Sequence, residues 1–347
     1  MSLKIRPLEP TDLPELSGFL TGGFRTPRDA EFAAPEILAW KYFDPTGILD
    51  GQPRSLVALA DGKIVGHLGL CFTRFRDTAN PALDVSTLHM IDWLGSPEQR
   101  GVGVRVMRRA GPLTATQYGI GGTDAARRVT DRSRYELVAP VPIYRRVLRH
   151  GHAFRKPGQG PSRGLADATK GLLRSLTHRP GRPVLELRFR DMKQFGPEVE
   201  EIVSACPTRM IHTARPPALL NHLLRHPRNR IRGGLLLQDD RVRGFGVLSV
   251  VLRDGVRYGQ IVEAFVDAPE EPGLLAAALQ KLTDELRIQK ADLVTTFGGT
   301  PWMARALRDC GYFTLTHVNL YLRDPNRLIP RDAHFYVTPV EADYAYT

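Results

Sequence analysis

The chain has 347 residues, of which 42% are hydrophobic and 24% charged, and a formal net charge of +11. That length leaves room for two domains with cores of their own, and no apolar run approaches the roughly 18 to 20 residues of a helical membrane span. The excess of basic residues points to an anionic partner: a phosphorylated cofactor, an acidic protein, nucleic acid or a membrane surface.

In chain order, "LKIRPL" reads as a strand, and a helix begins near Thr11. A second helix, "APEILAWKYF", stops at Asp44-Pro45. "SLVALADGKIVGHLGLCFTRF" is a hairpin turning at Asp61-Gly62. A strand, "VSTLHMIDWLG", then runs into "SPEQRGVGVRVMRRA", where two glycines and four arginines meet a strand-to-helix junction. Strand, helix and strand follow, with further arginines at 127–134 and 145–149. Cys71, Cys206 and Cys310 are far apart and form neither a disulfide framework nor a zinc pattern, so no metal is expected. With no apolar leader in "MSLKIRPLEPTDLPEL", a reducing cytoplasm is the expected location.

From residue 183 the same order recurs. "VLELRFRDM" is a strand, two helices follow, and the second stops at His226-Pro227 as the earlier one stops at Asp44-Pro45. A hairpin turns at Asp239-Asp240, with Gly244 matching Gly66, and "IVEAFVDAPEEPG" matches "MIDWLGSPEQRG". Matching breakers in one order argue for a duplicated unit. The expected organisation is a first domain at 1–154, a basic Gly/Pro-rich linker at 155–182 with one short helix, a second domain at 183–325 and a tail at 326–347. The aromatic tail should pack back on a domain.

The element order and "SPEQRGVGV" resemble the GCN5-related N-acetyltransferase superfamily, and the duplication resembles its tandem-domain bacterial members. The likeness covers nearly the whole chain. It implies an α/β (α+β) fold of two tandem domains, each a mixed, mostly antiparallel sheet flanked by helices. It implies acyl transfer from acetyl-CoA or another acyl-CoA to an amine, with no metal. In the family, the segment after the fourth strand reads like P-E-x-R-G-x-G-x-G. Pro97, Glu98, Arg100, Gly101 and Gly103 fill those places, and Val102 and Val104 lie between the glycines and beyond. Glycines allow close backbone approach, and the free amides of a helix N-terminus suit a diphosphate. Arg105 departs from the pattern, which ends in glycine or alanine, and a long side chain there can reach a phosphate.

Trp93 and Leu94 match the strand positions that align the pantetheine arm in the family. Asp92 is the best match for a general base and His89 its rival; strand alternation sets the two on opposite faces unless a bulge intervenes. The family's usual thiolate-protonating tyrosine is replaced by Thr130, and Tyr135 and Tyr144 read as packing residues. "AWKYFDPTG" resembles a W-K-Y-x-x-N-P-x-G pattern of tandem members, which implies that Trp40 and Tyr42 line the acceptor side; Glu263 matches Asp92 in the second unit and is a candidate for the same cleft. That second unit carries "EEPGLLA", whose Glu270 and Glu271 should repel coenzyme A, so it is expected to be a degenerate copy.

The expected acceptor is a small-molecule amine such as an amino sugar or a natural-product intermediate. Two alternatives stand beside this reading. One is an acidic acyl carrier protein as donor, docking on the arginine clusters. The other is a non-catalytic binding or regulatory protein that retains the fold. Nucleic-acid binding lacks any accompanying motif.

Overall fold

The computed structural model describes residues 3–49, 51–155, 161–181 and 184–342. The first repeat runs β1 (Leu3–Pro7), α1 (Leu13–Phe24), α2 (Pro35–Phe43), β2 (Ser55–Ala60), β3 (Lys63–Asp77), β4 (Asn80–Gly95), α3 (Val102–Ala110), β5 (Thr116–Ile120), α4 (Asp124–Arg132) and β6 (Glu136–Val147). After α5 (Pro161–Thr177) come β7 (Arg188–Met192), α6 (Glu198–Ser204), β8 (Met210–Thr213), α7 (Pro217–Leu224), β9 (Ile231–Gln238), β10 (Arg241–Arg253) and β11 (Val256–Val266). The second repeat ends with α8 (Leu274–Ile288), β12 (Leu293–Phe297), α9 (Pro301–Asp309) and β13 (Phe313–Arg323), and the tail adds a two-residue β14 (His334–Phe335). Local chemistry explains the punctuation. Asp61 and Gly62 both have positive φ (51° and 79°), as a tight two-residue hairpin turn requires. Proline opens both α2 and α7, where its missing N–H costs nothing.

Twelve strands form one sheet in the order β1-β2-β3-β4-β5-β13-β6-β12-β11-β10-β9-β7, and off this path β8 pairs with the end of β3 and with β14. Replacing each strand by its counterpart in the other repeat gives the same order reversed. The centre of this palindrome is an exchange: β13 of the second repeat pairs with β5, and β6 of the first pairs with β12. The boundary expected at 154 therefore divides the repeats in sequence but not in the sheet. Of the expected linker, 161–177 is helix, while 156–160 and 182–183 lie outside the described residues.

The pseudo-symmetry extends to the helices. α2 and α7 meet across the centre, where the Trp40 indole stacks on His222, with ring centroids 4.7 Å apart and planes 7° from parallel. These two occupy the same place relative to their following Asp44-Pro45 and His226-Pro227. Contact between equivalent residues is the signature of an isologous interface.

One face of the first half-sheet carries α3, whose Val102, Val106 and Ala110 pack on Leu56, Leu68, Leu70 and Leu88. The other face carries α1 and α2, with Leu16, Leu20, Leu38 and Tyr42 against Val57 and Ile91. The tail packs back through Phe335, Val337 and Ala342 against Phe75, Tyr118 and Val141; residues 343–347, its end, lie outside the described residues.

Candidate active site at the open edge of the first repeat

β4 pairs with β5 only at Thr87–Thr116, Leu88–Gln117 and His89–Tyr118. On its other side β4 stays paired with β3 as far as Gly66–Gly95. The β5-facing edge of β4 from Met90 to Gly95 is thus released, and the two parallel strands open into a cleft. The cause is a bulge. The register with β3 shifts between His67 and Gly69, so Asp92 and Trp93 stand opposite Leu68 alone, and Asp92 adopts a left-handed φ of 46°.

Buried polar groups hold that bulge. The Asp92 carboxylate accepts hydrogen bonds from the Tyr42 hydroxyl at 2.6 Å and the Lys41 ammonium at 3.2 Å. Its backbone carbonyl accepts from His67 Nδ1 at 2.8 Å, and His67 Nε2 meets Ser55 Oγ at 2.8 Å. Burial pushes the His67 imidazole down to about 4, so the ring is neutral near pH 7. It donates from Nδ1 and accepts from the serine hydroxyl. Burial alone would raise the Asp92 carboxyl, but the Lys41 charge and the Tyr42 hydrogen bond outweigh it and hold it below the usual range. Lys41 is 1% exposed. Asp92, expected as general base, is therefore an ion-paired carboxylate of low basicity.

His89 stacks on Tyr118, with centroids 4.9 Å apart, and its Nδ1 donates to the Tyr118 carbonyl at 3.3 Å. Burial pushes its imidazole down to about 4. The bulge turns Asp92 toward α2, the side that Ile91 also faces.

The turn into α3 depends on close backbone approach. A Cβ on Gly95 would stand 2.8 Å from the Gly103 amide nitrogen, and one on Gly103 would stand 3.2 Å from Trp93 Nε1. Trp93 Nε1 donates to the Gly103 carbonyl at 3.0 Å, which ties the bulge to the helix. Gly101 caps α3 at φ 81°, a conformation for which glycine is suited. The Val102 amide donates to the Gln99 carbonyl and the Arg105 amide to the Gly101 carbonyl, both at 3.1 Å. The intervening amides of Gly103 and Val104 meet no acceptor among the described residues. Arg100, Arg105, Arg108 and Arg109 are exposed around this helix and pair with no carboxylate among the described residues. Leu94 is half-buried against α1 and, like Trp93, stands on the released edge.

The second repeat copies the backbone and closes it. β11 leaves β12 after Gln260–Thr295, and its register with β10 shifts between Val247 and Leu248. Gly273 caps α8 at φ 81°. Here the released edge is occupied: the Ala264 amide donates to Glu263 Oε1 at 2.9 Å, and the Ala264 carbonyl accepts from the Tyr336 hydroxyl of the tail. Arg215, 0% exposed in its side chain, bridges Glu263 and Glu341, and Thr338 donates to both carboxylates. Before α8, Arg243 pairs with Asp267 and Glu271, and Glu270 accepts from Thr208 at 3.1 Å. The α8 turn is thus flanked by Glu270 and Glu271, with Arg305 beside them as an exposed cation.

Three expected acceptor-side residues lie elsewhere. Trp40 is 2% exposed and anchors the seam between repeats, its Nε1 donating to the His222 carbonyl at 3.0 Å. Tyr42 is buried under the bulge as a partner of Asp92, and Glu263 belongs to the plug of the second cleft. In each case an aromatic or charged side chain was wanted by the core. Lys41, His67, Arg215 and Glu341 carry the polar networks without any motif to announce them. Tyr135 and Tyr144 are buried. Among the described residues, no group of three or more His, Cys, Asp and Glu side chains is placed to hold a metal ion, and no helix is long and apolar enough to cross a membrane.

No protein-family model and no curated protein sequence matches the chain. Solved structures do. A GCN5-related N-acetyltransferase from Anabaena variabilis aligns with TM-score 0.60 at 13% identity, over 94% of this chain and 73% of that one. Saccharomyces cerevisiae N-myristoyltransferase with bound myristoyl-CoA aligns with TM-score 0.61 at 12% identity, over 93% and 83%. A GCN5-related N-acetyltransferase from Kribbella flavida aligns with TM-score 0.53 at 16% identity, over 93% and 71%. The chain has the fold these proteins share, a mixed sheet flanked by helices and repeated in tandem.

Proposed function

We propose that this chain, built on the fold of the GCN5-related N-acetyltransferases, is an N-acyltransferase that uses its first repeat to hold an acyl thioester. The observation that carries the reading is the contrast at one backbone position: the released strand edge is open and the helix turn beside it is ringed by arginines in the first repeat, whereas in the second the edge is plugged by Glu263 and Tyr336 and the turn is flanked by carboxylates. The donor is acetyl-CoA or another acyl-CoA. Its diphosphate would meet the Gly103 and Val104 amides, with Arg100 and Arg105 beside them. Gly101 and Val102 form the turn and its buried anchor. The pantetheine arm would run along the edge that Trp93 and Leu94 expose, as an added half-strand.

The acceptor is the amine of a small molecule such as an amino sugar or a natural-product intermediate. Its nitrogen attacks the thioester carbon, the C–S bond breaks, and the sulfur leaves as thiolate. An ordinary thiol has a pKa near 8.5, so a thiolate can depart near neutral pH without a dedicated acid. The ammonium proton passes to solvent; the buried His89 ring, held at about 4, is too weak a base to keep it. Asp92 is assigned a positioning role: its ion pair with Lys41 fixes the bulge that releases the edge.

The test is a thiol-release assay with acetyl-CoA and a panel of amines. Turnover with at least one amine, lost in Gly103→Glu, supports the reading. Turnover with an acyl carrier protein alone, sensitive to salt, would move the donor to that acidic partner. Tight acetyl-CoA binding with no turnover on any amine would favour a non-catalytic binding protein.

A further inference from the structure

We propose a second anion-binding site at the far end of α3, where Arg108, Arg132, Arg134 and Arg323 line one cavity of about 460 Å³ that takes a small ligand bearing adjacent phosphate groups. The cavity is lined from Met107 to Gly111, so it lies roughly 5 to 10 Å along the helix beyond the open amide of Val104, at 1.5 Å per residue. No carboxylate lines it, and none of the four guanidiniums pairs with a carboxylate among the described residues.

Local structure accounts for only half of that charge. Arg108 and Arg132 stand in the last turns of α3 and α4, where a helix dipole favours a cation. Arg134 and Arg323 have no such reason. Arg134 is held at φ 62°, a left-handed conformation in which glycine is the favoured residue after a helix. Arg323 ends β13, the exchanged strand, and stands opposite Gln117 of β5. The exchange thus brings a cation of the second repeat to three of the first.

The floor is already satisfied and does not compete for a ligand. Gln117 accepts from the Tyr135 hydroxyl at 2.8 Å and donates to the Gly111 carbonyl at 3.0 Å. Burial pushes the Tyr135 phenol up, so it stays neutral and brings no negative charge to the cavity. What remains free is a set of guanidinium forks, whose planar donors match phosphate oxygens.

The test is calorimetric titration of inorganic pyrophosphate into the Gly103→Glu chain, in which the α3 N-terminus is blocked. One saturable site per chain is expected, weakening at least tenfold when Arg134→Gln and Arg323→Gln are added. Arg134→Gly, which suits the left-handed backbone, provides a variant whose fold is not at risk and should weaken binding severalfold. ADP in place of pyrophosphate distinguishes a nucleotide from an inorganic source, and saturation by either supports the site. In the wild-type chain, Arg134→Gly should leave acetyl-CoA affinity unchanged within about twofold. No pyrophosphate or ADP binding by Gly103→Glu, or binding that ignores both arginine changes, overturns the proposal. So does a parallel loss of acetyl-CoA affinity in Arg134→Gly, which would make the cavity part of the thioester site.

Discussion

Gly101 and Gly273 cap equivalent helices at the same φ of 81°, after strands that bulge and leave their neighbours at the same level. The amides of Gly103 and Val104 at the first and of Leu275 and Ala276 at the second alike meet no acceptor among the described residues, yet exposed arginines surround the first while Glu270 and Glu271, bound by Thr208 and Arg243, flank the second. The strand edges differ likewise. Nothing from β5 pairs with the first beyond His89, whereas Tyr336 and Glu263 satisfy both backbone groups of Ala264 in the second. Backbone geometry was retained through the duplication, and side chains decided which copy keeps a cleft. Fold and site are separable in this chain, as they are between unrelated functions on one fold.

Breaking the plug of the second repeat should give the largest change in stability. Arg215→Met leaves Glu263 and Glu341 buried without their cation, at a cost of about 3 to 5 kcal/mol. Chemical denaturation should show that loss with acyl-CoA affinity unchanged in whatever fraction stays folded. A variant as stable as the wild type would contradict the plug as drawn. Trp40→Ala, at the seam, should cost about 3 kcal/mol. Because the exchanged strands link the halves, its denaturation should remain a single transition for both repeats; two separated transitions would show that the halves fold independently.

Asp92→Asn tests the first repeat. It strands the buried Lys41 charge, at a cost of about 3 kcal/mol, and should lower kcat at every pH without moving the limbs of the pH profile. Loss of an acidic limb in the variant would restore Asp92 as a base.

Acid should weaken both repeats. Burial holds the imidazoles of His67 and His89 at about 4, of His212 and His226 at about 3 and of His222 at about 2. An unfolded chain takes up these protons near pH 6.5 and the folded one does not, so stability falls as pH drops from 6.5 toward 4. At pH 5 each group contributes up to about 2 kcal/mol of that loss. The Tm should fall steeply between pH 6.5 and 5, and less steeply in His222→Phe; a flat profile would mean that these rings are not buried neutral. The smallest effect is expected at Arg105→Ala. An exposed charge contributes about 1 kcal/mol to holding a phosphate, so its loss means roughly a fivefold rise in acetyl-CoA Kd.

Much of this was legible in the sequence. The hairpins at Asp61-Gly62 and Asp239-Asp240, the prolines after α2 and α7, and the glycine stretch before α3 are local signals, and local signals fix elements and their order. The strand exchange was not legible, because β6 and β13 look the same whichever sheet receives them. Nor were the roles of Trp40, Tyr42 and Glu263. A tryptophan, a tyrosine or a carboxylate reads as a binding residue until its partner is known, and the partners His222, Asp92 and Arg215 lie 182, 50 and 48 residues away. The bulge at Asp92 was foreseen only as a condition for His89 and Asp92 to share a face; what holds it, Lys41 from α2, is a tertiary contact.

On the proposed function, the first repeat holds a thioester and the second does not. Calorimetric titration of acetyl-CoA into the wild type, Gly103→Glu and Gly273→Glu tests it directly. One site per chain is expected, abolished in Gly103→Glu and retained in Gly273→Glu. Two sites in the wild type, survival of binding in Gly103→Glu, or no binding by the folded wild type would contradict it.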